Sequence, residues 1–154
     1  MSIDRLASRR AIEWFCEEVA RDHVTKVFND ITSDGEEIGK FFGKIAKDHK
    51  RQALRFLELV ERTDDIEKWL SFLEHEQKRE ESAWRDEKVK EFIERAREWV
   101  KNTNPQCVIE AEKRLSKWLK YQGSLTDEER EILKLRAMRT ALYVTLKGLT
   151  GESK

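Results

Sequence analysis

A single proline in 154 residues constrains this chain more than any motif it carries. Pro105 sits in the polar run KNTNPQ, and only six glycines accompany it. These are the two residue types that most strongly oppose helix. Long stretches of the chain therefore have no local reason to stop being helical. Within them, apolar residues recur at three- and four-residue spacings, the pattern of a helix that buries one stripe. β-branched residues are few, which argues against strands. The expectation is an all-α fold: an antiparallel bundle of five or six helices in one domain covering residues 1–154, with a frayed tail from about residue 150.

Stripes and capping signals place the helices. The first is expected from about Asp4 to Ile31, with Ile12, Phe15, Cys16, Val19, Val27 and Ile31 inward. The turn TSDGEE follows and offers Ser33 with Glu36, or Asp34 with Glu37, as capping pairs. The second helix runs from about Glu36 to Arg62, with Ile38, Phe41, Phe42, Ile45, Ala53, Phe56 and Val60 inward. In RTDD, Thr63 or Asp64 is the expected N-cap of the third. That helix starts near Asp65 and carries Ile66, Trp69, Leu70 and Leu73. The stripe changes phase between Trp84 and Val89. This reads either as one curved helix to Val100 or as a separate helix capped by Asp86. A fourth helix covers about Pro105 to Tyr121, with proline in its first turn. The last runs from about Asp127 to Leu149 behind a capping box from Thr126 to Glu129. Short linkers make consecutive helices antiparallel neighbours.

Charge narrows the class further. Lys+Arg and Asp+Glu are both 31, and charged residues make up 40% of the chain. A disordered chain combines poor apolar content with a large net charge; this one is neutral, with five Trp and seven Phe. A chain of this length can bury roughly 70% of its unfolded surface and needs no staple to fold. The wealth of Glu, Lys and Arg beside scarce Asn and Gln resembles proteins of hot environments, where surface ion pairs are enriched. Cys16 and Cys107 are far apart, so a disulfide scaffold or zinc ribbon is not expected. Cys16 falls on an apolar stripe and reads as a small buried hydrophobe. No uncharged run reaches membrane-spanning length, and the N-terminus lacks a signal-peptide core. A cytoplasmic location is expected. GxxxxGK, GxGxxG, GxSxG and HExxH are all absent, and so is any DNA-binding motif.

The polar residues on the inward stripes are the chemical candidates. With helices turning about 100° per residue, His23 lies about 20° from Ile12 on the first stripe and His49 about 20° from Ile38 on the second. Gln52 is one turn on, and Gln77 and Glu80 fall on the third stripe, with His75 opposite and solvated. Antiparallel neighbours bring helix middles together, so His23, His49 and Glu80 are expected to approach inside the bundle. Buried polar groups need partners. The cluster reads either as a hydrogen-bonded core group with Gln52 and Gln77, or as a site for a divalent transition metal, which imidazole and carboxylate ligands suit.

The stretch FFGKIAKDHKRQALRFLEL resembles the second helix of the rubrerythrin and ferritin-like superfamily. The family pattern there is an aromatic, then IA-acid-E-x-x-H-A, then FLEL. The resemblance implies a four-helix bundle whose Glu and His, three residues apart, bind iron. The matching positions here are His49 and Gln52. The family's first-helix Glu would fall near Asp22 or His23, and its third-helix Glu between Gln77 and Glu81. No E-x-x-H occurs in this chain, so the resemblance implies a divergent member with a lost or rebuilt metal site.

A different class of function is also open. Residues 105–154 hold ten basic and seven acidic side chains, and Lys113, Arg114, Lys117, Lys120, Arg136 and Arg139 could line a basic groove. Lys117 and Lys120 flank Trp118, and an aromatic between cations can stack on bases. That reading is a non-enzymatic subunit contacting RNA or a protein complex. Finally, Trp14 lies about 200° from the first stripe. With Phe28 and Val24 it would make an apolar surface patch suited to a homodimer.

Overall fold

The computed structural model describes residues 2–32, 34–102, 109–110, 113 and 126–147. Among these residues there is no strand, and the fold is all-α. The helices are α1 (Ser2–Asp22), α2 (Val24–Ile31), α3 (Gly35–Asp48), α4 (Lys50–Arg62), α5 (Ile66–Glu76), α6 (Glu87–Asn102) and α7 (Asp127–Lys147), with a 3-10 turn at Ala83–Arg85.

Two helices expected to be continuous are interrupted, each at a histidine. His23 divides α1 from α2 with φ −133° and ψ 53°, and His49 divides α3 from α4 with φ −135° and ψ 55°. Neither dihedral pair is helical. Both histidines follow an aspartate. The first interruption has a packing reason. On one straight helix Phe28 would point about 120° away from Cys16. The break lets Cys16 and Ala20 stay buried while Phe28 packs on Phe42 and Phe92 in the same core. The second interruption has no such phase shift behind it.

Capping chemistry sets most of the remaining ends. Asp34 Oδ1 accepts from the Glu37 N–H, the capping pair expected from TSDGEE. Thr126 and Glu129 form the reciprocal box: the Thr126 hydroxyl accepts from the Glu129 N–H at 3.1 Å, and Glu129 accepts from the Thr126 N–H at 2.9 Å. The N-cap of α5 is Asp65, which accepts from the Glu67 N–H, rather than Thr63 or Asp64. The third stripe resolves into two helices, α5 and α6, separated by an irregular segment. The expected helix from Pro105 to Tyr121 lies largely outside the described residues; Ile109, Glu110 and Lys113 within it are helical.

Neighbouring helices reverse direction in three hairpins. Phe28 meets Phe42 across α2 and α3, Phe56 stacks on Phe72 across α4 and α5, and Arg97 on α6 reaches back to Glu67 and Glu74 on α5. The core is continuous from α1 to α7. Its centre is an edge-to-face aromatic group: Phe42 lies 5.2 Å from Phe92 and 5.9 Å from Trp84, which lies 5.3 Å from Phe56. Helix α7 runs through the middle of the bundle, packed against α1, α2, α3, α4 and α6. Leu133, Leu135, Ala137, Met138, Ala141, Leu142, Val144 and Leu146 are all buried on it. A helix buried nearly all round carries no clean stripe, and so more of α7 is enclosed than its pattern indicates.

Candidate functional site

The interior cluster expected from the stripes does not form. His23 and His49 are exposed, because the helix interruptions fall on the histidines themselves and void the arithmetic that placed them inward. Glu80 is also exposed; it lies beyond the end of α5, and its carbonyl accepts from Arg85 at 3.0 Å. Among the described residues no group of three or more His, Cys, Asp or Glu side chains is arranged to hold a metal ion. His75 is exposed and Cys16 fully buried, both as expected.

Gln52 and Gln77 have a different task. Between α5 and α6 the chain from Gln77 to Asp86 has no regular helix to satisfy its backbone beyond the short 3-10 turn. Gln52 reaches it from α4: its Oε1 accepts from the Ala83 N–H at 2.7 Å, and its Nε2 donates to the Glu81 carbonyl at 3.3 Å. Gln77 Nε2 donates to the Asp86 carbonyl at 3.2 Å. A third staple was not foreseen. Glu76 is 2% exposed, and its carboxylate accepts two bonds from the Arg79 guanidinium and one from the Ser82 hydroxyl. Glu76 stands seven residues after Trp69, on nearly the same helix face, and that spacing is the signal for it. These amides and this carboxylate hold an irregular segment against the core. Trp84, at the floor of the segment, is thereby packed between Phe42 and Phe56.

Of the arginines expected to face RNA, Arg139 is bonded inside the fold and Arg136 stands at the edge of ion-pair distance. Arg139 Nε donates to the Val60 carbonyl at 3.0 Å, and its Nη2 reaches the Thr63 carbonyl and the Asp64 carboxylate. Its guanidinium lies over the Trp69 ring, whose Nε1–H also donates to the Thr63 carbonyl. Arg136 lies 4.0 Å from both Glu17 on α1 and Asp64. The reason is the central position of α7: both side chains leave it toward α1 and the α4–α5 corner. Lys113 is exposed. Arg114, Lys117, Trp118 and Lys120 lie outside the described residues. Lys134 is a further buried cation that the stripe pattern missed. Its Nζ donates to the Val100 carbonyl at 2.8 Å near the end of α6, and burial pushes its amine below the ordinary lysine range.

One surface feature stands apart. Trp14 is 63% exposed, the one exposed large hydrophobic among the residues whose side chains are described, which on α1 are Arg10 and residues 13–22. Trp69, Trp84 and Trp99 are buried. The patch is narrower than expected: Phe28 is buried and Val24 half-buried, because the break at His23 carries α2 into the core. Trp14 lies opposite Cys16 and Ala20, which face the bundle. Exposed Arg10 stands one turn before it, and Glu18 and Arg21, paired at 2.7 Å, follow it.

Comparison with protein-family models, curated proteins and solved structures finds no match for this chain. Among the described residues, no helix is long and apolar enough to cross a membrane.

Proposed function

We propose that this protein is an interaction subunit, a helical bundle that docks another protein through the face of α1 centred on Trp14. The exposure of that one tryptophan carries the reading. Every other tryptophan among the described residues is enclosed, so the bundle has the means to cover an indole and leaves this one in water. Removing the exposed part of a Trp side chain from water is worth about 3 kcal/mol. Tryptophan is also the residue most enriched among the anchors of protein interfaces. Arg10, Glu18 and Arg21 supply the polar rim that such an anchor needs.

A protein partner fits this face better than RNA does. RNA binding draws on cations able to neutralise phosphates; among the described residues of the expected basic groove, Arg139 is bonded by Asp64 and backbone carbonyls and Arg136 stands 4.0 Å from Glu17 and Asp64, which leaves Lys113 exposed. The test is a photo-crosslinking amino acid placed at position 14 in the full chain, with exposed position 58 on α4 as the control. Illumination in cells should give protein adducts from position 14 well above those from position 58. Equal yields from the two positions, or nucleic acid as the main adduct at position 14, overturns the reading.

A further inference from the structure

Resting on that reading, we infer that the partner at Trp14 is a second copy of this chain, its α1 packed antiparallel across a two-fold axis that passes beside Trp14. The pattern of charge on the face is the reason. Arg10 and Glu18 stand four residues to either side of Trp14. Each is therefore about 6 Å along the axis from it and about 40° off its face. They are equidistant from the indole and opposite in sign.

A two-fold interface is self-complementary, so that whatever residue i meets, the partner's residue meets i in turn. If two α1 helices ran parallel about Trp14, Arg10 would face Arg10 and Glu18 would face Glu18. Like charges in register oppose association. Antiparallel, each Arg10 faces the Glu18 of the other copy, and the two indoles meet at the axis. Glu18 already engages Arg21 at 2.7 Å within its own helix. A carboxylate has lone pairs for a second guanidinium, so the partner's Arg10 adds to that pair without displacing it. A hydrophobic anchor flanked by two symmetric ion pairs is a small interface. Small interfaces belong to weak and transient complexes, and the expected dissociation constant is on the order of 10–100 μM.

The test is sedimentation equilibrium of the full chain from about 1 to 500 μM at low salt. Five proteins are compared: wild type, Trp14→Ala, Arg10→Glu, Glu18→Arg and the double reversal Arg10→Glu with Glu18→Arg. All three positions are exposed or rim residues, and circular dichroism confirms that each variant is folded. Wild type should dimerise, and Trp14→Ala should remain monomeric. Each single reversal replaces two attractive pairs by two repulsive ones and should weaken the dimer by roughly fivefold or more. The double reversal restores opposite charges across the axis and should return to near the wild-type constant. A dimer lost with Trp14→Ala but indifferent to the reversals overturns the antiparallel register. A strictly monomeric wild type at 500 μM overturns the second copy as partner. If position 14 then still crosslinks a different protein, the docking face stands and only its occupant is changed.

Discussion

Replacing Gln52 with methionine removes one side chain's hold on the segment between α5 and α6 while keeping nearly the same volume, so cavity formation does not enter. Two hydrogen bonds are lost. The Ala83 N–H is half-buried and bonded at 2.7 Å; leaving such a donor without a partner costs about 1–3 kcal/mol. The Glu81 carbonyl is exposed and bonded at 3.3 Å, so water replaces the amide there and the loss is about 0.5 kcal/mol or less. The sum is about 2 kcal/mol, which for a chain of this size lowers the melting temperature by roughly 4–8 °C. Urea denaturation measures the global loss, and amide hydrogen exchange at Ala83 measures the local one. A penalty of about 2 kcal/mol in local opening speeds exchange there by roughly 30-fold. Gln77→Met tests whether the staples act together. If the segment opens as a unit, the double variant should lose less stability than the two singles added. Unchanged Ala83 exchange in Gln52→Met would show that the segment is held by Trp84 and Glu76 without Gln52.

Four further outcomes follow from the packing. Gly35→Ala sets a Cβ against the backbone of Phe28 and Asn29 and 2.6 Å from Asn29 Oδ1, which itself accepts from the Gly35 N–H; backbone cannot give way as a side chain can, and calorimetry should show a loss of about 3 kcal/mol. Arg139→Lys keeps the charge but not the fork that serves Val60, Thr63 and Asp64, and guanidinium titration should find it about 1–2 kcal/mol less stable than wild type, with Arg139→Ala worse. The depressed amine of Lys134 means that the unfolded chain binds more protons between its folded value and about 10.5, so wild-type stability should rise with pH through that alkaline window, a slope that Lys134→Met abolishes. His23→Leu and His49→Leu should each shift stability by no more than about 0.5 kcal/mol, because both side chains are exposed; a loss of several kcal/mol in thermal unfolding would contradict their placement.

Much of this architecture is legible in local pattern. Helix class and the caps at Asp34 and Thr126 depend on interactions within about one turn of chain, which capping chemistry reports directly, and the opposite faces of Cys16 and Trp14 follow from helical periodicity. What escaped depends on contacts between distant segments. The inward placement of His23 and His49 carries a helical phase from Ile12 and from Ile38, and the non-helical φ at each histidine turns its side chain off that phase. The stripe places Gln52 on the inward face of its helix; in the structure it is half-buried, and its partners lie 29 and 31 residues away in a segment with no pattern of its own. Arg136 and Arg139 look like free cations in the sequence. They become internal clamps because α7 occupies the centre of the bundle, and there a long cationic side chain is stable only where carbonyls and carboxylates from α1, α4 and the α4–α5 corner converge on it. Spacing along one helix says which side chains share a face. Which neighbour that face meets is settled by how all the helices fill a common core, and that choice decides whether a polar residue is a ligand, a staple or surface.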